Sequence, residues 1–160
     1  MAVGDTLGTW DALSHRPPDS SAATYWKVDD DIVINFDDGA VSATYFVGVL
    51  PANYAGGDLE IRLSWAPVLS SGNVKWDVAF ERRQPGVFQL DTPDFGAAST
   101  DTEAVSAAEN VIVTTVTITA ANAGTPVAGE PFRFSVTRDT TVGSNMADSA
   151  YLFAVELLEA

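Results

Sequence analysis

The sequence predicts an all-β fold: an antiparallel two-sheet β-sandwich, a jelly roll of about eight strands, with an irregular N-terminal arm. Three observations predict it. Apolar and polar residues alternate with period two over most of the stretch from 31 to 158. The alternating segments are rich in Val, Ile, Phe, Tyr and Trp, which fit a pleated, half-buried surface. No segment carries a helical period long enough to build a core, and Gly, Pro, Asn and Asp punctuate the chain at short intervals. An immunoglobulin-like sandwich is the alternative with the same ingredients.

The elements follow in order. Residues 1–30 read as an arm, because "SHRPPDSSAAT" at 14–24 joins a double proline to small polar residues that resist both helix and ladder pairing. The sandwich domain is then 31–160. Its first strands are "DIVINF" (31–36), "ATYFVGV" (43–49), "DLEIRLSWA" (58–66) and "NVKWDVAFER" (73–82). The alternation assigns faces: Leu59, Ile61, Leu63 and Trp65 share one side, as do Val74, Trp76, Val78 and Phe80, while Lys75, Asp77 and Glu81 face water. A short strand is expected at "VFQL" (87–90), and "TDTEAVSAAEN" (100–110) reads as a weak helix or a loop. "VIVTTVTIT" (111–119), "PFRFSVTR" (131–138) and "AYLFAVELL" (150–158) complete the set. "DDG" at 37–39 and "SSGN" at 70–73 have hairpin chemistry, and "PANYAGG" at 51–57 reads as a tight turn that Pro51 starts and Gly56 and Gly57 end.

Length and charge limit the function classes. The 160 residues suit one domain. Twenty-two acidic against eight basic residues give a net charge of −14, which repels phosphate backbones and anionic lipid, so neither a nucleic acid nor a membrane is expected as partner. The absence of cysteine excludes disulfides, thiolate metal sites and cysteine nucleophiles. No apolar run approaches the roughly 20 residues of a membrane span, and "MAVGDTLGTW" has neither the basic start nor the apolar centre of a secretion signal, so a soluble protein made in the cytoplasm is expected.

The residues that could carry chemistry are few. His15 is the only histidine and lies in the proline-rich stretch, where it reads as a solvated arm residue rather than a catalytic base. Asp29, Asp30, Asp31, Asp37 and Asp38 offer oxygens to a hard cation, but without the spaced acid-x-acid pattern of a calcium loop they read as solvated turns. Carboxylate pairs for glycoside hydrolysis cannot be assigned from linear spacing. There is no glycine-rich phosphate loop and no nucleophile elbow, so no cofactor, no metal and no catalysis are expected. Trp65 and Trp76 fall in phase with core neighbours. Trp10, Tyr25 and Trp26 do not, and they stand as the candidate partner contacts, able to stack on a sugar ring or anchor on another subunit.

"INFDDGAVSATYFVGVLPANYAGG" (34–57), "SGNVKWDVAFER" (71–82) and "GEPFRFSVTRDTTVGSNMADSAYLFAVELLE" (129–159), after "ALSHRPPDSSAAT" (12–24), resemble a family of small structural proteins encoded among tailed-bacteriophage virion genes. Residues 84–110 depart most from that pattern. The resemblance implies a virion component with a jelly-roll body: a capsid decoration or cement protein on the outer head surface, trimeric, with the major capsid protein and its own copies as partners. The other expectation is a carbohydrate- or receptor-binding module of a tail fibre or spike. Pro51, Asn53, Tyr54, Gly56, Gly57, Trp76, Phe80 and Arg138 look like fold-makers in that pattern, and no binding role passes to them.

Overall fold

A computed structural model describes residues 4–160. Ten strands form in chain order: β1 (Thr6–Asp11), β2 (Thr24–Val28), β3 (Asp31–Phe36), β4 (Ser42–Val49), β5 (Leu59–Pro67), β6 (Asn73–Arg82), β7 (Ser99–Ala104), β8 (Ile112–Ile118), β9 (Pro131–Asp139) and β10 (Ala150–Glu159). One 3₁₀ turn, Ala12–Ser14, follows β1, and Asp11 caps it by accepting from Ser14 N. The larger sheet runs β2-β3-β10-β5-β8, with β1 also on β10, and the smaller runs β4-β9-β6-β7. Every pairing between strands is antiparallel.

The pairs β3–β10, β4–β9, β5–β8 and β6–β7 nest inside one another, as when a long double strand is wound into two facing sheets. That is a jelly roll, and it differs from the strand order of the immunoglobulin alternative. Most consecutive strands therefore lie in opposite sheets. "DDG" and "SSGN", expected to turn hairpins, instead carry the chain from β3 to β4 and from β5 to β6 across the sandwich.

The period-two strands supply the core. Leu59, Ile61, Leu63 and Trp65 on β5 and Val74, Trp76, Val78 and Phe80 on β6 are all buried. Trp76 meets Phe36 edge-on with centroids 5.0 Å apart and Trp65 at 5.5 Å, so the two tryptophans expected in the core join the sheets there. In the turn at 51–57, Tyr54 N bonds the Pro51 carbonyl and the Tyr54 hydroxyl donates to Gly57 O at 2.5 Å, while Gly56 takes φ 91°. Arg138, wholly buried, donates to the carbonyls of Phe36, Met146 and Asp148 and so ties the β9–β10 loop to the end of β3.

Five sequence expectations change. Residues 87–90 form turns, with Val87 and Phe88 N–H both bonding the Gln84 carbonyl, while the stretch read as weak helix or loop at 100–110 gives strand β7 to Ala104, on the edge beside β6, and a loop after it. Glu81 is fully buried rather than wet, because the segment after β6 folds back over it and Asp94 N donates to it. The stretch read as an irregular arm contributes two strands. β3 covers only Ala150 to Leu152 of the β10 edge, and β1 pairs the remainder from Ala154 to Leu158. β2 forms a hairpin with β3 through Asp29 and Asp30, Asp29 lying at φ 51°. His15, lastly, is buried rather than solvated, since Arg16 pairs with Tyr45 and Ala22 with Ala43, laying residues 15–23 along β4.

Candidate functional site

The three aromatic residues singled out in residues 1–30 separate in the structure. Trp10 turns inward. Its ring packs edge-on against Phe134 at 5.1 Å and Phe132 at 6.0 Å, and its Nε1–H donates to the Val47 carbonyl at 3.0 Å. Room for the ring exists because Gly8 and Gly48 have no side chains: a Cβ on either would approach it to 2.7 or 3.1 Å. Trp10, on the larger sheet, thus grips the smaller one. Tyr25 and Trp26 instead stay at the surface, 49% and 55% exposed, on the outermost strand of the larger sheet.

Tyr25 is fixed by its neighbours. Its hydroxyl donates to the carbonyls of His15 (3.3 Å) and Leu13 (3.4 Å), and its ring meets the His15 imidazole edge-on at 4.9 Å. Burial holds the His15 pKa below its ordinary value, and Nδ1 bonds Thr44 Oγ1, so this histidine is a structural part of the wall. Leu13, Tyr25, Trp26, Lys27 and Ile32 line a shallow apolar depression. Leu13 and Ile32, 65% and 45% exposed, also line the adjoining groove.

That groove, about 710 Å³, is bounded on one side by Asp11 to Leu13 and by the β2–β3 turn. Its floor is the outer face of the larger sheet: Val33, Ala66, Tyr151 and Phe153 alternate with the inward Ile34, Trp65 and Leu152. Phe153 sits at a bulge where the pairing of β10 with β5 slips between Leu152 and Ala154. The extra residue reverses the phase, so Leu152 and Val155 both point inward and Phe153 is left for the groove. Five carboxylates, Asp11, Asp29, Asp30, Asp31 and Glu109, line the same groove. Burial, with the charges of Asp148 and Glu109, pushes the Tyr151 phenol up, so it stays protonated and able to donate at neutral pH.

This combination of flat apolar faces and carboxyl oxygens suits a ligand with apolar C–H surface and many hydroxyl donors. Among the described residues, no group of three or more His, Asp or Glu is arranged to hold a metal ion. Tyr25 and Trp26 were visible in the sequence as aromatics outside the core phase. Tyr151 and Phe153 were not, because "AYLFAV" is apolar on both faces and only the bulge decides which residues emerge.

No protein-family model and no curated protein sequence matches the chain. Solved structures share the fold. The isomalto-dextranase of Arthrobacter globiformis T6, complexed with panose, superposes with a TM-score of 0.55 at 13% identity over 93% of this chain and 22% of the enzyme. The exo-β-1,3-galactanase of Phanerochaete chrysosporium, with galactose, gives 0.52 at 12% over 96% of this chain and 29% of the enzyme. The carbohydrate-binding module TmCBM61, with β-1,4-galactotriose, gives 0.50 at 10% over 94% of this chain and 91% of the module. The chain thus spans under a third of the two enzymes and nearly all of the module.

Proposed function

We propose that this protein is a carbohydrate-binding module whose site is the groove between the β2–β3 hairpin and the bulged end of β10. The observation that carries the reading is that partly exposed Tyr151 and Phe153 meet five carboxylates in one groove, with exposed Trp26 in the apolar depression that adjoins it. Aromatic rings stack on the C–H face of a pyranose, and carboxylates accept from its hydroxyls; together they select a neutral saccharide over an anion. A volume of about 710 Å³ lies within the usual range for ligand sites, roughly 300 to 1,000 Å³. The shared fold with a module that holds galactotriose supports the reading by analogy of architecture.

The test is calorimetric titration of the intact protein with neutral gluco- and galacto-oligosaccharides, beside Trp26→Ala and Phe153→Ala. Loss of a stacking residue should weaken binding by about tenfold or more, as for an aromatic anchor in an interface. Unchanged affinity in both variants would overturn the placement of the site, and no binding across the panel would overturn the reading. In a phage particle such a module would serve on a fibre or spike. The decoration-protein reading draws on the same exposed Tyr25 and Trp26 as contacts to the major capsid protein, and is separated by copy number: hundreds per particle for a head protein, a few dozen at most for a fibre module.

A further inference from the structure

On the opposite side of the molecule, the outer face of the smaller sheet gathers positive charge in a chain of net charge −14. Of the six arginines, Arg138 is spent on buried carbonyls, Arg82 on Glu130 and Arg62 on Glu60. The other three, Arg16, Arg83 and Arg133, line one groove of about 440 Å³. Arg16 is exposed and its guanidinium has no acceptor among the described residues.

The groove is held in shape by buried Glu81. Its Oε2 accepts from Arg133 Nε at 2.8 Å and Arg83 Nε at 3.1 Å, and its Oε1 from Arg133 Nη2 at 3.0 Å and Asp94 N at 3.0 Å. Both oxygens are thereby satisfied. One carboxylate needs one arginine for its charge, yet this one orders two. Arg133 is further immobilised over the adjoining rings of Tyr45 and Phe95, 4.6 and 4.7 Å from their centroids. Arg133 Nη1 and both terminal nitrogens of Arg83 find no protein acceptor among the described residues. Three guanidinium groups therefore stand against two carboxylates, Asp19 in the groove lining and the buried Glu81 that two of them bond, and the entropy of fixing those two is already lost on folding.

We propose that this groove binds the carboxylate of an acidic sugar, a hexuronate residue. A guanidinium fork matches a planar carboxylate in two parallel hydrogen bonds. Pro17, Pro18 and the Tyr45 ring offer apolar faces to the pyranose beside it, in a volume that admits one or two residues. The clamp itself follows from the arginine geometry; that a saccharide brings the carboxylate rests on the function proposed above.

The experiment titrates the intact protein with trigalacturonate, galactotriose and acetate while following backbone amide resonances. Trigalacturonate is expected to shift Arg16, Tyr45, Arg83 and Arg133, and galactotriose is not. Arg16→Gln, at an exposed side chain without an acceptor, should leave melting unchanged and weaken trigalacturonate by about tenfold or more, the size of a lost charge-assisted hydrogen bond. Equal affinity in wild type and Arg16→Gln would overturn the clamp. Equal response to charged and neutral trisaccharides would overturn the choice of ligand, as would acetate binding as tightly as trigalacturonate. Neutral sugars still shifting the groove beside Trp26 while trigalacturonate leaves the arginines untouched would sink this inference alone. Loss of all saccharide binding would sink the reading it rests on.

Discussion

Replacing Trp10 by alanine separates two roles an aromatic residue near the N-terminus could have. Removing a large aromatic from a core costs about 3 to 5 kcal/mol; Trp10 is only partly buried, which puts it near 3. Its Nε1–H···O bond to Val47 contributes about 1 kcal/mol more, and the edge contacts to Phe132 and Phe134 lie within the burial figure. Trp10→Ala should thus lose about 3 to 4 kcal/mol. For a chain of this size each kcal/mol shifts melting by about 2 to 4 °C, giving a drop of roughly 6 to 16 °C in a calorimetric scan. Trp10→Phe keeps most of the ring and should lose about 1 to 2 kcal/mol. Trp26→Ala, at a surface position, should stay within about 0.5 kcal/mol of wild type. A fall in melting temperature below about 2 °C for Trp10→Ala would show that the ring does not join the two sheets, and the reasoning would fail.

Trp76→Ala, at a site with no exposure between Phe36 and Trp65, should cost about 3 to 5 kcal/mol in urea unfolding, and an unchanged midpoint would mean that β6 is in the opposite phase. His15 titrates below its ordinary 6.5 because it is buried, so the unfolded chain takes up that proton first as pH falls. Stability should therefore decline as pH drops through about 6.5, by at most about 1.4 kcal/mol per unit, and His15→Gln should flatten that limb between about pH 7 and 5. Equal slopes in the two proteins would refute the assignment. At lower pH the limiting group changes: Lys75 holds the Asp139 carboxyl at about 2, so the stability it supplies is present above about 4 and is lost as pH falls toward 2.

The core was legible because its strands carry their partner's position in their own alternation: one face of β5 and of β6 is apolar without a break. β7 was not, since "STDTEA" is an edge strand bonded only to β6 and has no apolar face to announce it. "VFQL" misled for the converse reason: it has strand composition, yet Val87 and Leu90 are 67% and 80% exposed and their backbone closes turns. β1 was hidden because its partner β10 lies more than 140 residues away, and nothing local in "TLGTWD" encodes that pairing. At the site, Tyr25 and Trp26 were visible by falling outside the core phase. The carboxylates of 29–31 were visible only as a turn, because their convergence with Glu109 depends on strands that meet in three dimensions. The arginine groove was invisible for a related reason: Arg83 and Arg133 become neighbours only through Glu81, whose side chain the alternation assigns to solvent.

The nested strand order also sets a timetable. β10 is the last strand in chain order and lies at the centre of the larger sheet, bonded to β5 on one edge and to β3 and β1 on the other. Until residues 150–159 leave the ribosome, β1 has no sheet partner and β3 has only β2, and a lone two-stranded hairpin is marginal in water. Assembly of that sheet therefore waits for β10. It must join the first strand to the last, the kind of long-range closure that places all-β domains among the slower folders, in milliseconds to seconds. The groove inherits the delay: Tyr151 and Phe153 ride on β10, so its floor is incomplete until that strand has joined the sheet.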